Sequence, residues 1–182
     1  MATDAMNAGW LKPFEEIRKA LVGDSVWGQV LGSPGSELPS FGIHLAVFIE
    51  PFLGYVLDGS KTVESRFSVN RCAPFGKVKP GDAILLKEAG GPVVGIARVP
   101  LVWSYHLDEP SWRIIRTQFA DALRVQDLEF WEQKRDAFYA TLMSIDRVRS
   151  FKPIGWDKKD RRGWVVMRRV WQLSLFRGDD DL

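Results

Sequence analysis

Cysteine and histidine are almost missing from this sequence: Cys72 is the only cysteine, and His44 and His106 are the only histidines in 182 residues. One thiol cannot close a disulfide within the chain, and a cysteine-built zinc site is excluded. The two histidines have no paired ligand spacing, so no metal is expected. His44 falls inside an apolar run and reads as a strand residue. Arg71 beside Cys72 is the kind of neighbour that favours a thiolate, but no histidine is spaced to serve as its partner. Glycines are plentiful, yet none have the spacing of a phosphate-binding loop or a dinucleotide fingerprint. Gly90-Gly91 lacks a following helical pattern, and no cofactor is expected. No apolar run reaches the roughly 18 residues a membrane helix needs. Residues 1–6 lack a basic segment followed by an apolar one. The expected compartment is the cytoplasm, with no membrane partner.

What is present is ordinary globular material, 46% hydrophobic and 26% charged. The net charge is only +2, but it is unevenly spread. Residues 61–87 carry Lys61, Arg66, Arg71, Lys77, Lys79 and Lys87 against Glu64 and Asp82. Residues 151–170 carry Lys152, Lys158, Lys159, Arg161, Arg162, Arg168 and Arg169 against Asp157 and Asp160. Two basic segments on an otherwise acidic chain make a local positive field if they meet in space. If they do not meet, they are two solvated surfaces.

Trp10 to Val22 has helical spacing through Leu11, Phe14, Ile17, Ala20 and Leu21, with Pro13 in the first turn. Residues 32–42 are rich in Gly, Ser and Pro and read as a linker. We place a boundary there. Residues 1–42 form an N-terminal helix and linker, 43–176 the main domain, and 177–182 an acidic tail.

Strands are expected at Ile43–Ile49, Lys61–Phe67, Ala83–Lys87, Val93–Trp103, Ala140–Val148 and Trp164–Met167, with Trp171–Phe176 a possible extension. Helices are expected from Pro51 to Leu57, over Glu109–Leu123 and over Asp127–Lys134. Strands in succession with inserted helices predict an α+β fold with a closed or half-closed sheet.

One stretch stands out: Asp58-Gly59-Ser60-Lys61-Thr62-Val63-Glu64-Ser65-Arg66-Phe67. Gly59 lies where a left-handed helix cap is needed. Alternation then puts Thr62, Glu64, Arg66 and Ser68 on one strand face and Val63, Ser65 and Phe67 on the other. Lys61 has the wrong parity, but it sits at a turn from which its long stem can swing round. The residues alone fit either a surface ion-pair row or a cleft in which Glu64 orients the cations.

The pattern Gly59-x-Lys61-x-x-Glu64-x-Arg66 resembles the G-x-K-x-x-E-x-R signature of the ASCH domain, a member of the PUA-like superfamily. The Gly81-Asp82 turn before a strand and the hairpin strand that follows fit the same pattern. The basic stretch Lys158-Lys159-Asp160-Arg161-Arg162-Gly163 before Trp164-Val165-Val166 also resembles a bacterial subgroup. The resemblance covers about residues 43–170. It implies a PUA-like β-barrel with helices at its openings, and a cleft lined by the motif that binds RNA or a nucleotide. Gly59, Lys61, Thr62, Glu64, Arg66, Arg71, Lys158, Lys159, Arg161 and Arg162 are its expected ligand-binding residues. Trp156 or Trp164 would offer a face for stacking a base, although Trp164, beside Val165 and Val166, reads as a core residue and Trp156 is left open.

Some ASCH proteins are reported to be ribonucleases, and small N4-acetylcytidine amidohydrolases are also similar. The resemblance therefore carries an enzymatic alternative: a metal-independent hydrolase acting on RNA or a modified nucleoside, with Lys61 and Glu64 catalytic. The amidohydrolases use a lysine, a threonine and a glutamate. Lys61 matches the lysine, Glu64 stands at the threonine, and Glu109, Glu129 and Glu132 are the candidates for the glutamate. A third possibility is an interaction domain docking an acidic protein. The sequence does not fix an oligomeric state.

Overall fold

The computed structural model describes residues 8–156 and 161–169. The expected extension at 171–176, the acidic tail, and Lys158 and Lys159 lie outside the described residues. The architecture is mixed α+β. Helices α1 (Ala8–Leu21) and α2 (Trp27–Leu31) precede strand β1 (Ile43–Phe48), helix α3 (Phe52–Leu57) and strand β2 (Val63–Ser68). Then come β3 (Ala83–Glu88), β4 (Val93–Arg98) and β5 (Val102–His106). Three short helices follow, α4 (Glu109–Gln118), α5 (Ala120–Leu123) and α6 (Leu128–Gln133). Strands β6 (Tyr139–Ser144), β7 (Asp146–Ile154) and β8 (Trp164–Arg168) complete the described chain.

The strands form two sheets, one of five in the order β7-β4-β3-β1-β8 and one of three in the order β2-β6-β5. Among the described residues the expected single barrel is therefore not a closed ring of hydrogen bonds. Two corners explain this. Val93–Trp103 reads as one run, but Pro100 has no N–H to give a ladder. Val99 instead pairs with the 81–82 turn, its N–H on the Asp82 carbonyl at 2.9 Å. Leu101 N–H turns to the Ser144 hydroxyl at 2.8 Å. The run thus splits into β4 in one sheet and β5 in the other. The second corner is at Ile145, whose N–H bonds the Thr62 carbonyl at 2.8 Å. It divides the expected 140–148 strand into β6 and β7. The expected 109–123 helix is likewise two helices, parted at Phe119, whose ring turns onto Trp103 with centroids 5.0 Å apart.

β1 lies inside the five-stranded sheet, parallel to β3 and antiparallel to β8. Both faces of this sheet are covered, so β1 and β3 are continuous apolar runs rather than alternating ones. One face (Leu45, Leu85, Ile96, Val165) packs against Phe14, Ile17, Leu21, Trp27 and Leu31 of α1 and α2. The other face (Ala46, Ile84, Leu86, Ala97) packs against Leu53 and Val56 of α3 and against Met143 and Ile145. A third cluster joins Val63, Ala140 and Leu142 of the small sheet to Ile115, Leu123 and Trp131. The motif strand β2 thus has α3 before it, the five-stranded sheet on one side and α4–α6 on the other.

Candidate nucleic-acid or nucleotide cleft

A compact turn delivers the motif. α3 ends at Asp58, and Gly59 takes φ +80° with its N–H on the Val56 carbonyl at 3.2 Å. That conformation suits glycine. Asp58 Oδ1 accepts from Ser60 N–H at 2.8 Å. Lys61 N–H then returns to the Tyr55 carbonyl at 2.8 Å, which points the lysine stem inward. Thr62 precedes β2, so strand alternation does not govern it. It is exposed and absent from the cleft lining, and its backbone instead pairs with Ala122 and Ile145.

Lys61 is 3% exposed and Glu64 6% exposed, an uncommon depth for two charged residues. Lys61 Nζ donates to the Leu123 carbonyl at 2.9 Å and lies 3.5 Å from Glu64 Oε2 and 5.3 Å from the Phe52 ring centre. Burial pushes its pKa below the ordinary 10.5; the Glu64 carboxylate pulls back up, and Arg66 adds a smaller downward push. The other carboxylate oxygen of Glu64 is 2.9 Å from Arg66 Nε, an ion pair set off the hydrogen-bond axis.

Arg66 is more committed than its sequence position suggests. Its guanidinium donates to the Val47 carbonyl at 3.0 Å and to the Gly163 carbonyl at 3.5 Å. It also stacks near Phe48 and Trp164, with centroid distances of 5.1 and 5.4 Å. A motif side chain on the small sheet thereby ties down the ends of β1 and β8 in the large one.

Lys61, Glu64 and Arg66 line one cleft of about 220 Å³. Its remaining walls are Val47, Phe48, Ile49, Phe52, Ser65, Phe67, Phe130 and Lys134. Phe52 and Phe130 also border a neighbouring hollow of about 450 Å³ that contains Tyr55, Arg124 and Glu129. The motif cleft is the better candidate, because buried charges converge on it. Phe130 and Lys134 could not be named from the sequence. They come from α6 and the residue capping its C-terminus, about 65 residues downstream, and their only local signal is helical spacing.

The other expected residues are dispersed. Gly59 is exposed in the turn and lines no cleft wall. Arg71 is exposed and leans over Phe75 at 5.6 Å, beside a separate groove that shares Arg66. Arg161 and Arg162 are exposed and precede Gly163, whose carbonyl accepts from Arg66. Of the three candidates for the amidohydrolases' glutamate, Glu129 borders the neighbouring hollow, and Glu109 and Glu132 lie on neither wall. Trp156 and Trp164 are both buried, so neither offers an open face for a base. Trp164 Nε1 donates to His44 Nδ1 at 3.1 Å. An indole N–H can only donate, so the His44 proton sits on Nε2, 2.9 Å from Asp82 Oδ2. Among the described residues no three His, Cys, Asp or Glu side chains gather as a metal set. No described helix is long and apolar enough to cross a membrane.

No family model matches the chain, and no curated protein is similar to it in sequence. Solved structures are similar in shape. The ASCH protein of Zymomonas mobilis superposes with a TM-score of 0.56 at 12% identity, over 69% of this chain and 87% of that one. Two point variants of the Zymomonas mobilis protein give 0.55 and 0.53, also at 12% identity, covering 72% and 69% of this chain and 92% and 90% of theirs. At that identity the likeness is one of fold, and this chain accordingly contains a domain with an ASCH-like fold.

Proposed function

We propose that the motif cleft binds RNA or a nucleotide, with the unpaired base as the recognised part. The observation that carries this reading is the burial of Lys61 and Glu64 side by side at the base of an aromatic-walled cleft. Burying two charges costs several kcal/mol per ion before pairing, which is poor value as surface decoration. Phe52, Phe67 and Phe130 supply apolar walls for a flat ring. Glu64 accepts from a base amino or imino group, and Lys61 and Arg66 hold the carboxylate in place. Arg66 acts mainly as a positioning residue, because two of its five N–H donors already serve the Val47 and Gly163 carbonyls and its Nε faces Glu64. Lys134 at the rim and Arg161 and Arg162 nearby meet phosphates. In the same reading the two sheets are halves of a partly open PUA-like barrel, and the protein works on RNA or nucleotides in the cytoplasm.

The test is fluorescence anisotropy with short labelled RNAs, alongside calorimetry with nucleotides. Glu64→Gln is expected to weaken binding at least tenfold with the circular dichroism spectrum retained. Unchanged affinity in that variant sinks the reading.

One observation favours a hydrolytic alternative: a lysine with a lowered pKa beside a carboxylate is a common arrangement for proton transfer. In that version Glu64 takes a proton from the attacking hydroxyl or water, and Lys61 stabilises the developing negative charge. Metal-independent cleavage of RNA or of acylated nucleosides, lost in Glu64→Gln and kept in Glu16→Gln, a distant exposed glutamate, would establish it. Binding without turnover across both substrate panels would leave the binding module alone.

A further inference from the structure

The two basic segments of the sequence do meet, but at a second place. The 76–79 turn is tight: Lys77 N–H bonds the Pro74 carbonyl at 2.8 Å, and Val78 is buried beneath it. β8 reaches the same spot through a register shift at Ile43/His44, where Ile43 faces Arg168 and His44 faces Val166. Such a bulge re-aims side chains. The result is a cavity of about 140 Å³ whose walls include Lys77, Lys79, Arg168 and Arg169.

Among the described residues only one carboxylate, Asp82, shares these walls, and its oxygens are already committed. Oδ1 accepts from Gly42 N–H at 2.8 Å, and Oδ2 from Lys79 N–H at 2.8 Å and His44 at 2.9 Å. A Cβ on Gly42 would come within 2.6 Å of that carboxylate, so the glycine is what allows the close approach. Arg168 Nε is buried with no hydrogen-bond acceptor. None of the four cations has an ion-pair partner among the described residues. Four cations held together against one internally occupied carboxylate repel one another unless an anion joins them.

We infer that this cavity is a phosphate-binding site, separate from the motif cleft and independent of any role for Glu64. The ligand chemistry is a phosphate group, either free or on a small ester, or in an RNA backbone. Lysine supplies point charge and arginine a planar fork for its oxygens.

The first measurement is a 1H–15N NMR titration with inorganic phosphate, exchanged against chloride at constant ionic strength. Saturable shifts are expected at residues 76–79 and 168–169. The double variant Lys77→Gln/Lys79→Gln should weaken the binding at least fivefold, and Arg169→Gln by itself should weaken it by about twofold. All three substituted residues are exposed, so folding is not at stake. Glu64→Gln should leave phosphate binding unchanged. Shifts that rise without saturating, or that saturate with unchanged affinity in the double variant, overturn the site.

The second measurement sets the source. If the double variant also weakens binding of a short RNA and lowers its salt slope by about one, the phosphate belongs to a nucleic-acid backbone. If RNA affinity holds while phosphate binding is lost, the site takes a free phosphate or small phosphate ester. Either result supports the cavity, and neither depends on the motif cleft.

Discussion

The most informative single residue is Lys61. Its folded pKa lies below 10.5 because burial disfavours the ammonium. The unfolded chain therefore binds the proton more tightly than the folded one. Linkage then makes Lys61 a cost below its folded pKa, relieved as pH rises toward 10.5 and absent above it. Comparing the protein with Lys61→Met by urea unfolding tests this. The stability of the protein relative to the variant should improve on the alkaline side. A pH-independent difference would show that Glu64 fully offsets the burial. The sequence made part of this legible. Strand alternation put Glu64 and Arg66 on one face, and the turn admitted Lys61. Alternation failed for Thr62 because β2 begins one residue later. Nothing local marked Arg66 as a tie to Val47 and Gly163, because both acceptors are backbone carbonyls brought in by other strands.

Among the elements, β1 and β8 are joined by more than their ladder. Trp164 lies on β8 and His44 on β1, and the indole N–H satisfies a buried ring nitrogen. Trp164→Phe keeps an aromatic ring and removes only the donor. The orphaned acceptor should cost about 1–3 kcal/mol, read as a lower urea midpoint with an unchanged slope. A loss below about 0.5 kcal/mol, the scale of a neutral surface change, would mean that His44 finds another donor. The starts of α4 and α6, which helical spacing placed to within a residue, are fixed by local caps. Asp108 accepts from Ser111 N–H at 2.9 Å while the Ser111 hydroxyl accepts from Asp108 N–H, and Asp127 caps α6 in a similar way. The corners at Pro100 and Ile145 were not readable. Each is defined by a hydrogen bond to a distant segment, and the apolar pattern runs through it without a break.

At the scale of the molecule, α1 and α2 do more than extend the chain. Phe14, Ile17, Leu21, Trp27 and Leu31 are each 3% exposed or less, in the same cluster as β1 and β3. Arg18 fastens the following linker, donating to the Ser36 and Glu37 carbonyls at 2.8 and 2.6 Å. Five such side chains, at roughly 1.5–3 kcal/mol each, match the whole stability of an ordinary domain, about 5–15 kcal/mol. A chain beginning after residue 35 should therefore show no cooperative thermal transition by circular dichroism. A sharp transition would show that the large sheet stands without its helical cover. The sequence placed α1 and its apolar stripe, but α2 escaped it, being five residues long with too few positions to show a period.

The five-stranded sheet ends at β7, and that border is poorly suited to templating. Arg147, Arg149 and Lys152 are exposed along it, Pro153 withholds a donor, and its pairing with β4 is irregular in two places. Another copy adding a strand there would set like charges against each other and find a broken row of bonding groups. Self-association by sheet growth at that side is disfavoured, so a concentrated solution of this protein should resist fibril formation through β7.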